Sequence, residues 1–169
     1  AGVLREVAPD GTVSTVVSNF SVGGGFFPYV STDIQFHDGA VYTSLSNGTL
    51  ARIVVATGTV SALHQFTGFN VESGMDVIGD TLYVTDGLGP ANQLWKYDLS
   101  TGTAALVAGN LPGSAYGVEA GPNGSLYFAA NVAGFYSVDL NTGTVNQVSS
   151  AASGVGNFAV DPAGEYLYA

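Results

Sequence analysis

Two aspartates stand in similar settings, Asp33 in TDIQF and Asp76 in MDVIG, each opening a short stretch rich in Ile, Val and Phe. Carboxylates projected from neighbouring strands into one space can hold Ca²⁺, a hard cation that takes about six to eight oxygen ligands. The corresponding places further along hold Gly117 and Phe158, so such a ring of carboxylates is incomplete. The alternative is that both side chains accept hydrogen bonds from backbone or water. A second group of residues suits binding. The stretch SNFSVGGGFFPYVS (18–31) crowds Phe26, Phe27 and Tyr29 around a proline behind three glycines. Aromatic side chains on a loop make anchors for a ligand or a partner chain. Asp86 in DGLGPANQ and Asn131 in NVAG open two further loops expected on the same side of the molecule.

Other chemistries find no footing. The chain has no cysteine, which removes disulfides, thiolate metal sites and thiol nucleophiles. Neither His37 nor His64 belongs to a local Ser-His-Asp pattern, and no G-x-S-x-G is present. Gly23-Gly24-Gly25 is not followed by Lys-Ser/Thr, so it is no phosphate loop. The net charge is −10, and Arg5, Arg52 and Lys96 are the only basic residues besides histidine. Nucleic acid is therefore excluded as a partner and an anionic membrane surface is disfavoured, because both call for clustered cations. No apolar run approaches the roughly 20 residues of a membrane span. Charged residues make up only 9% of the chain, against roughly 25% in an average soluble domain. Gly, Ser, Thr and Asn take their place, a composition that suits an extracellular, secreted or cell-surface protein covered by glycans or by neighbouring subunits. Asn19, Asn47 and Asn123 each head an N-x-S/T sequon, in segments read as loops or turns. The chain opens at Ala1 with no visible signal peptide, and reads as a processed or excised piece.

The elements that must carry these residues follow from an internal repeat. GAVYTS (39–44), DTLYVT (80–85), GSLYFA (124–129) and EYLYA (165–169) place tyrosines at 42, 83, 127 and 168. A second strand and turn follow the first three copies: LARIVVATGTV, LWKYDLSTGTA and FYSVDLNTGTV. VLREVAPDGTV (3–13) is a further version at the start. Short runs of Val, Leu, Tyr and Phe bounded by Gly, Asn and Asp read as strands, and the Thr-Gly and Asn-Gly pairs supply hairpin turns. In LWKYDLSTG and FYSVDLNTG, Asp98 and Asp139 are placed to accept hydrogen bonds from the turn backbone. No segment shows a helical period. A four-stranded antiparallel unit recurring every ~40–45 residues is the pattern of a β-propeller blade.

Residues 115–145, AYGVEAGPNGSLYFAANVAGFYSVDLNTGTV, resemble the NHL-repeat, gluconolactonase-like and YVTN-type propellers. The repeats of that group run Gly-Val/Leu-Ala, Asp-Pro-Asp-Gly, Leu-Tyr-Val-Ala, then a strand ending in Val-Asp and Thr-Gly. FAVDPAGEYLYA (158–169) matches the opening of one more repeat. The resemblance implies an all-β propeller with almost no helix. Through its gluconolactonase-like members it also implies a hydrolase option, with a central divalent metal held by Glu, Asn and Asp. Such a ligand set does not map residue by residue onto this chain.

The phase of the repeat is uneven. A half-blade at 3–17 supplies a third and fourth strand, whole blades follow at about 31–66, 74–108 and 115–149, and a half-blade at 156–169 supplies a first and second strand. The two halves are complementary. They can meet within one ring or between chains, as an oligomer or filament, or the chain can belong to a larger propeller. The expectation is a non-enzymatic extracellular module that binds a protein or glycan and associates with itself, with no cofactor unless Ca²⁺ is held at Asp33 and Asp76. The alternatives are a fragment of a gluconolactonase-like hydrolase or lyase, and a carbohydrate-binding propeller.

Overall fold

A computed structural model describes residues 2–20, 30–45, 47–67, 74–86, 92–131, 134–150 and 158–169. These residues form antiparallel strands and a single 3-10 turn at Pro122–Gly124. β1 (Gly2–Val7) and β2 (Val13–Phe20) make a two-stranded sheet. Three four-stranded sheets follow. The first holds β3 (Val30–His37), β4 (Ala40–Leu45), β5 (Thr49–Val54) and β6 (Thr59–Gln65). The second holds β7 (Met75–Ile78), β8 (Thr81–Thr85), β9 (Leu94–Asp98) and β10 (Thr103–Ala108). The third holds β11 (Ala115–Ala120), β12 (Leu126–Ala130), β13 (Gly134–Val138) and β14 (Val145–Ser149). β15 (Ala159–Val160) and β16 (Leu167–Tyr168) make the last pair. Within each whole sheet the strands pair in chain order, as in a propeller blade.

Alternation along the second strand explains why its sequence is apolar almost throughout. Successive side chains point to opposite faces. Val41 and Leu45 pack towards the first half-blade, with Leu4, Val16 and Val17. Ala40 and Tyr42 pack the other way, with Met75, Leu82 and Val84 of the second blade. A larger core joins the second and third blades around Leu94, Leu126, Phe128 and Val138. A small one joins the third blade to the last pair through Ala129, Phe135 and Phe158. Each four-stranded sheet thus packs against a neighbour on both sides, and both faces of its second strand carry core residues.

The repeated Thr-Gly turns have a second role beyond reversing the chain. Gly58 and Gly143 adopt positive φ, 65° and 72°. Each also lies against the fourth strand of the preceding unit, Gly58 on the Val16 carbonyl and Gly143 on the Val107 carbonyl, where a Cβ would collide. Asp98 accepts hydrogen bonds from the Ser100 hydroxyl and N–H and the Thr101 N–H, at 2.6 to 2.9 Å. Asp139 accepts from the N–H groups of Asn141 and Thr142. These bonds favour the charged form and hold both carboxyls below the ordinary Asp range. A depressed folded value contributes stability above the ordinary range, and that stability is lost as pH falls through the depressed value.

Candidate functional site

The inner strands bring acidic side chains together. β3 packs beside β7, and β7 beside β11. Asp33, Gly117, Val118, Glu119 and Phe158 line a cavity of about 260 Å³ between them. The register corrects the sequence reading here. Asp76 lies opposite Tyr83, and its equivalents opposite Tyr42 and Tyr127 are Gln35 and Glu119. Asp33 stands two residues earlier, level with Gly74 and Gly117. The shared local context misleads because Asp33 lies nine residues before Tyr42, whereas Asp76 lies seven before Tyr83. Glu119, which the sequence reading did not single out, is the third acidic group of this region.

The Asp33 and Asp76 carboxylates already serve the neighbouring strand. The Met75 N–H donates to Asp33 Oδ2 at 2.8 Å, and Gln35 Nε2 donates to the Met75 carbonyl at 2.7 Å. Two side chains of the first blade therefore grip both polar groups of one residue in the second. The Ala120 N–H donates to Asp76 Oδ2, repeating the device between the second and third blades. Thr85 adds another tie, its hydroxyl donating to the Ala115 carbonyl at 2.9 Å. Among the described residues, no group of three or more His, Asp or Glu side chains is positioned to hold a metal ion.

Burial raises the pKa of Asp33 above the ordinary Asp range, against the pull of the Met75 N–H. Burial also raises Glu119, and the charges of Asp76 and Asp33 add to the effect. A raised folded value means that the contribution of Glu119 is fully present below its ordinary pKa and is lost as pH rises through the raised one. Glu119→Gln is therefore expected to stabilise the chain at pH 7 by about 0.5 kcal/mol, the scale of a partly solvated charge interaction. The gain should shrink towards about pH 4, where the carboxyl is largely protonated. Urea unfolding of both proteins at the two pH values checks this.

The other candidate residues do not join this region. Phe26, Phe27 and Tyr29 lie outside the described residues. Asp86 is not presented by a loop. It is buried at the end of β8, with its N–H donating to the Gln93 carbonyl. Asn131 closes the open end of β11 and β12, its N–H donating to the Ser114 carbonyl and its Oδ1 accepting from the Ser114 N–H. Asn47 is exposed at the β4–β5 turn and accepts from the Thr49 N–H. Asn19 falls within β2 and Asn123 within the 3-10 turn. At the end of β3, His37 Nε2 meets Asp80 Oδ1 at 3.0 Å, while His64 packs edge-on against Phe66.

Two surface features remain. A cleft of about 600 Å³ runs between the second and third blades, lined by Tyr83, Tyr127, Ser125, Asn141 and Asn146 among others. The second feature is a set of apolar side chains left uncovered at the two half-blades. Val7, Ile53, Tyr97 and Val138 occupy one position of the third strand, each paired just before its turn. Ile53, Tyr97 and Val138 are 1%, 4% and 2% exposed, whereas Val7 is 67% exposed. Ile34, Met75 and Val118 share a position of the first strand and are 53%, 0% and 3% exposed. Tyr168 is 59% exposed, against 5% for Tyr42 and 8% for Tyr83. Phe36, beside Ile34, is also open. One cause accounts for all of these differences. In each case the described residues leave open a side that whole blades cover, and β1 and β16 are not paired with each other.

No protein-family model matches the sequence, and no curated protein matches it. Solved structures do resemble the fold. A chain of a nidogen/laminin complex aligns with a TM-score of 0.71 at 14% identity, over 95% of this chain and 60% of that one. An auxiliary nutrient binding protein from Bacteroides thetaiotaomicron aligns with a TM-score of 0.66 at 17% identity, over 82% of this chain and 35% of that one. The computationally designed Ika4 protein aligns with a TM-score of 0.60 at 15% identity, over 80% of this chain and 81% of that one. This chain therefore spans less than two thirds of the first two. With its stacked four-stranded antiparallel sheets, it has the blades of a β-propeller.

Proposed function

We propose that this chain is a non-enzymatic, extracellular β-propeller module whose half-blades are completed by association with another copy of itself. The observation that carries this reading is the exposure of Val7 and Ile34 at positions that whole blades bury, together with Tyr168, whose equivalents are buried at Tyr42 and Tyr83 and half-buried at Tyr127. Exposed apolar faces beside unpaired strand edges are sites for strand addition. The uncharged polar surface supports an extracellular setting. The acidic groups of the inner strands favour a structural role over hydrolysis, since the Asp33 and Asp76 carboxylates accept backbone N–H groups of the next blade.

A second reading, a carbohydrate-binding propeller, rests on the cleft between the second and third blades. Its tyrosines, serine and asparagines offer ring faces and uncharged hydrogen-bonding groups to a neutral polyhydroxyl ligand. Sedimentation velocity over a dilution series tests the first reading. Association at high concentration that dissociates to 17.1 kDa on dilution supports it. A single species of that mass at every concentration overturns it.

A further inference from the structure

The blades that are whole define how the two half-blades would join. In the first blade Tyr42 lies opposite Arg52 and Val41 opposite Ile53. In the second, Tyr83 lies opposite Lys96 and Leu82 opposite Tyr97. In the third, Tyr127 lies opposite Ser137 and Leu126 opposite Val138. Counting back from the turn, Glu6 takes the place of Arg52, Lys96 and Ser137, and Val7 that of Ile53, Tyr97 and Val138. Tyr168 and Leu167 take the places of the second-strand tyrosine and its predecessor.

From this we infer that β16 of a second copy adds antiparallel to the open edge of β1, with Tyr168 opposite Glu6 and Leu167 opposite Val7, forming one composite blade. The inference rests on the proposed self-association and goes further by naming its edge, partner segment and register. The surface beside that edge fits the segment. Leu4, Glu6, Val16, Ile34 and Phe36 line an open groove of about 160 Å³. In the added hairpin, Phe158, Val160 and Leu167 pack on the third blade of their own chain. The opposite face, carrying Tyr166 and Tyr168, stays open to cover Ile34 and Phe36. The third blade of that second copy would in turn cover Val7.

The charges are complementary. The hairpin carries Asp161 and Glu165 and no cation, while β1 carries Arg5, one of the three cations of the chain. In the first blade Arg52 Nε donates to the Tyr42 hydroxyl at 3.3 Å. In the composite blade the polarity reverses, with the Tyr168 hydroxyl as donor to the Glu6 carboxylate. The contact is head-to-tail, so it closes into a ring or propagates as a filament according to the rotation between copies.

The absence of cysteine makes a clean test. The Leu99 N–H donates to the Asp80 carbonyl and the Val55 N–H to the Gly39 carbonyl. That phase makes Tyr83–Lys96 and Tyr42–Arg52 narrow pairs, with Cα atoms about 4.5 Å apart, within disulfide reach. Tyr168 and Glu6 would have the same spacing. Oxidised Glu6→Cys/Tyr168→Cys, read by non-reducing electrophoresis and intact mass, should link chains to one another. A control pair, Glu6→Cys/Tyr166→Cys, lies two residues out of register and should link at least about tenfold less. A disulfide closed within one chain would overturn the inference, because the hairpin would then come from the same molecule. No preference for the in-register pair, at concentrations where the wild type is associated, would overturn the register and leave the self-association standing. A wild type that stays monomeric in sedimentation would overturn both.

Discussion

Val138→Asp should unfold the chain, whereas Val7→Asp should leave its stability almost unchanged. The two residues occupy the same position of the third strand, just before the turn. Val138 packs in the core between the second and third blades, with Phe128, Leu126 and Tyr136 around it. Val138 is 2% exposed, so a carboxylate there would be taken out of water among apolar side chains. Burying an unpaired charge is among the few single changes that cost more than about 4 kcal/mol, comparable with the whole stability of a small domain. Val7 faces solvent in the single chain, so the same substitution there should stay within about 0.5 kcal/mol. Urea unfolding followed by far-UV circular dichroism under dilute conditions separates the two. Equal losses would mean that Val7 is already covered in the isolated chain.

The second large effect is expected at Phe128. Its ring is fully buried and stacks on Tyr136, with centroids 5.2 Å apart and planes 13° from parallel. Phe128→Ala removes the transfer energy of the ring and leaves a cavity between two blades, so a loss of about 3–5 kcal/mol is expected. Phe128→Leu should recover most of it, because volume and apolar character are largely kept. The readout is again the urea midpoint, with an unchanged slope. A loss below about 1 kcal/mol for the alanine variant would mean that the two blades do not share a packed core at this point.

The architecture is legible in the chain because the repeat is carried by local features. The tyrosines at 42, 83, 127 and 168 mark the second strand, the Thr-Gly pairs mark the outer hairpin, and uninterrupted apolar runs signal strands covered on both faces. The inner strands are harder to read, since their residues answer to a neighbouring blade. Asp33 and Asp76 share a local context, yet pairing with the second strand sets Asp33 two residues off. Glu119 comes near the other two carboxylates only once three sheets are stacked. Asp86 heads a Gly- and Pro-rich segment and reads as a loop residue, but the entry to β9 folds back over it. The groups that bind blade to blade, Gln35 on Met75 and Thr85 on Ala115, join residues 40 and 30 positions apart, and no local pattern announces them.

Completion of the half-blades is tested most directly by measuring the mass of the wild type beside Val7→Asp in the same sedimentation series. The wild type is expected to associate at high concentration and to dissociate to 17.1 kDa on dilution. Val7→Asp, with its fold intact, is expected to remain at that mass throughout, because the charge lies on the face that a second copy must cover. Wild type at 17.1 kDa at every concentration, or association undiminished in Val7→Asp, would contradict it.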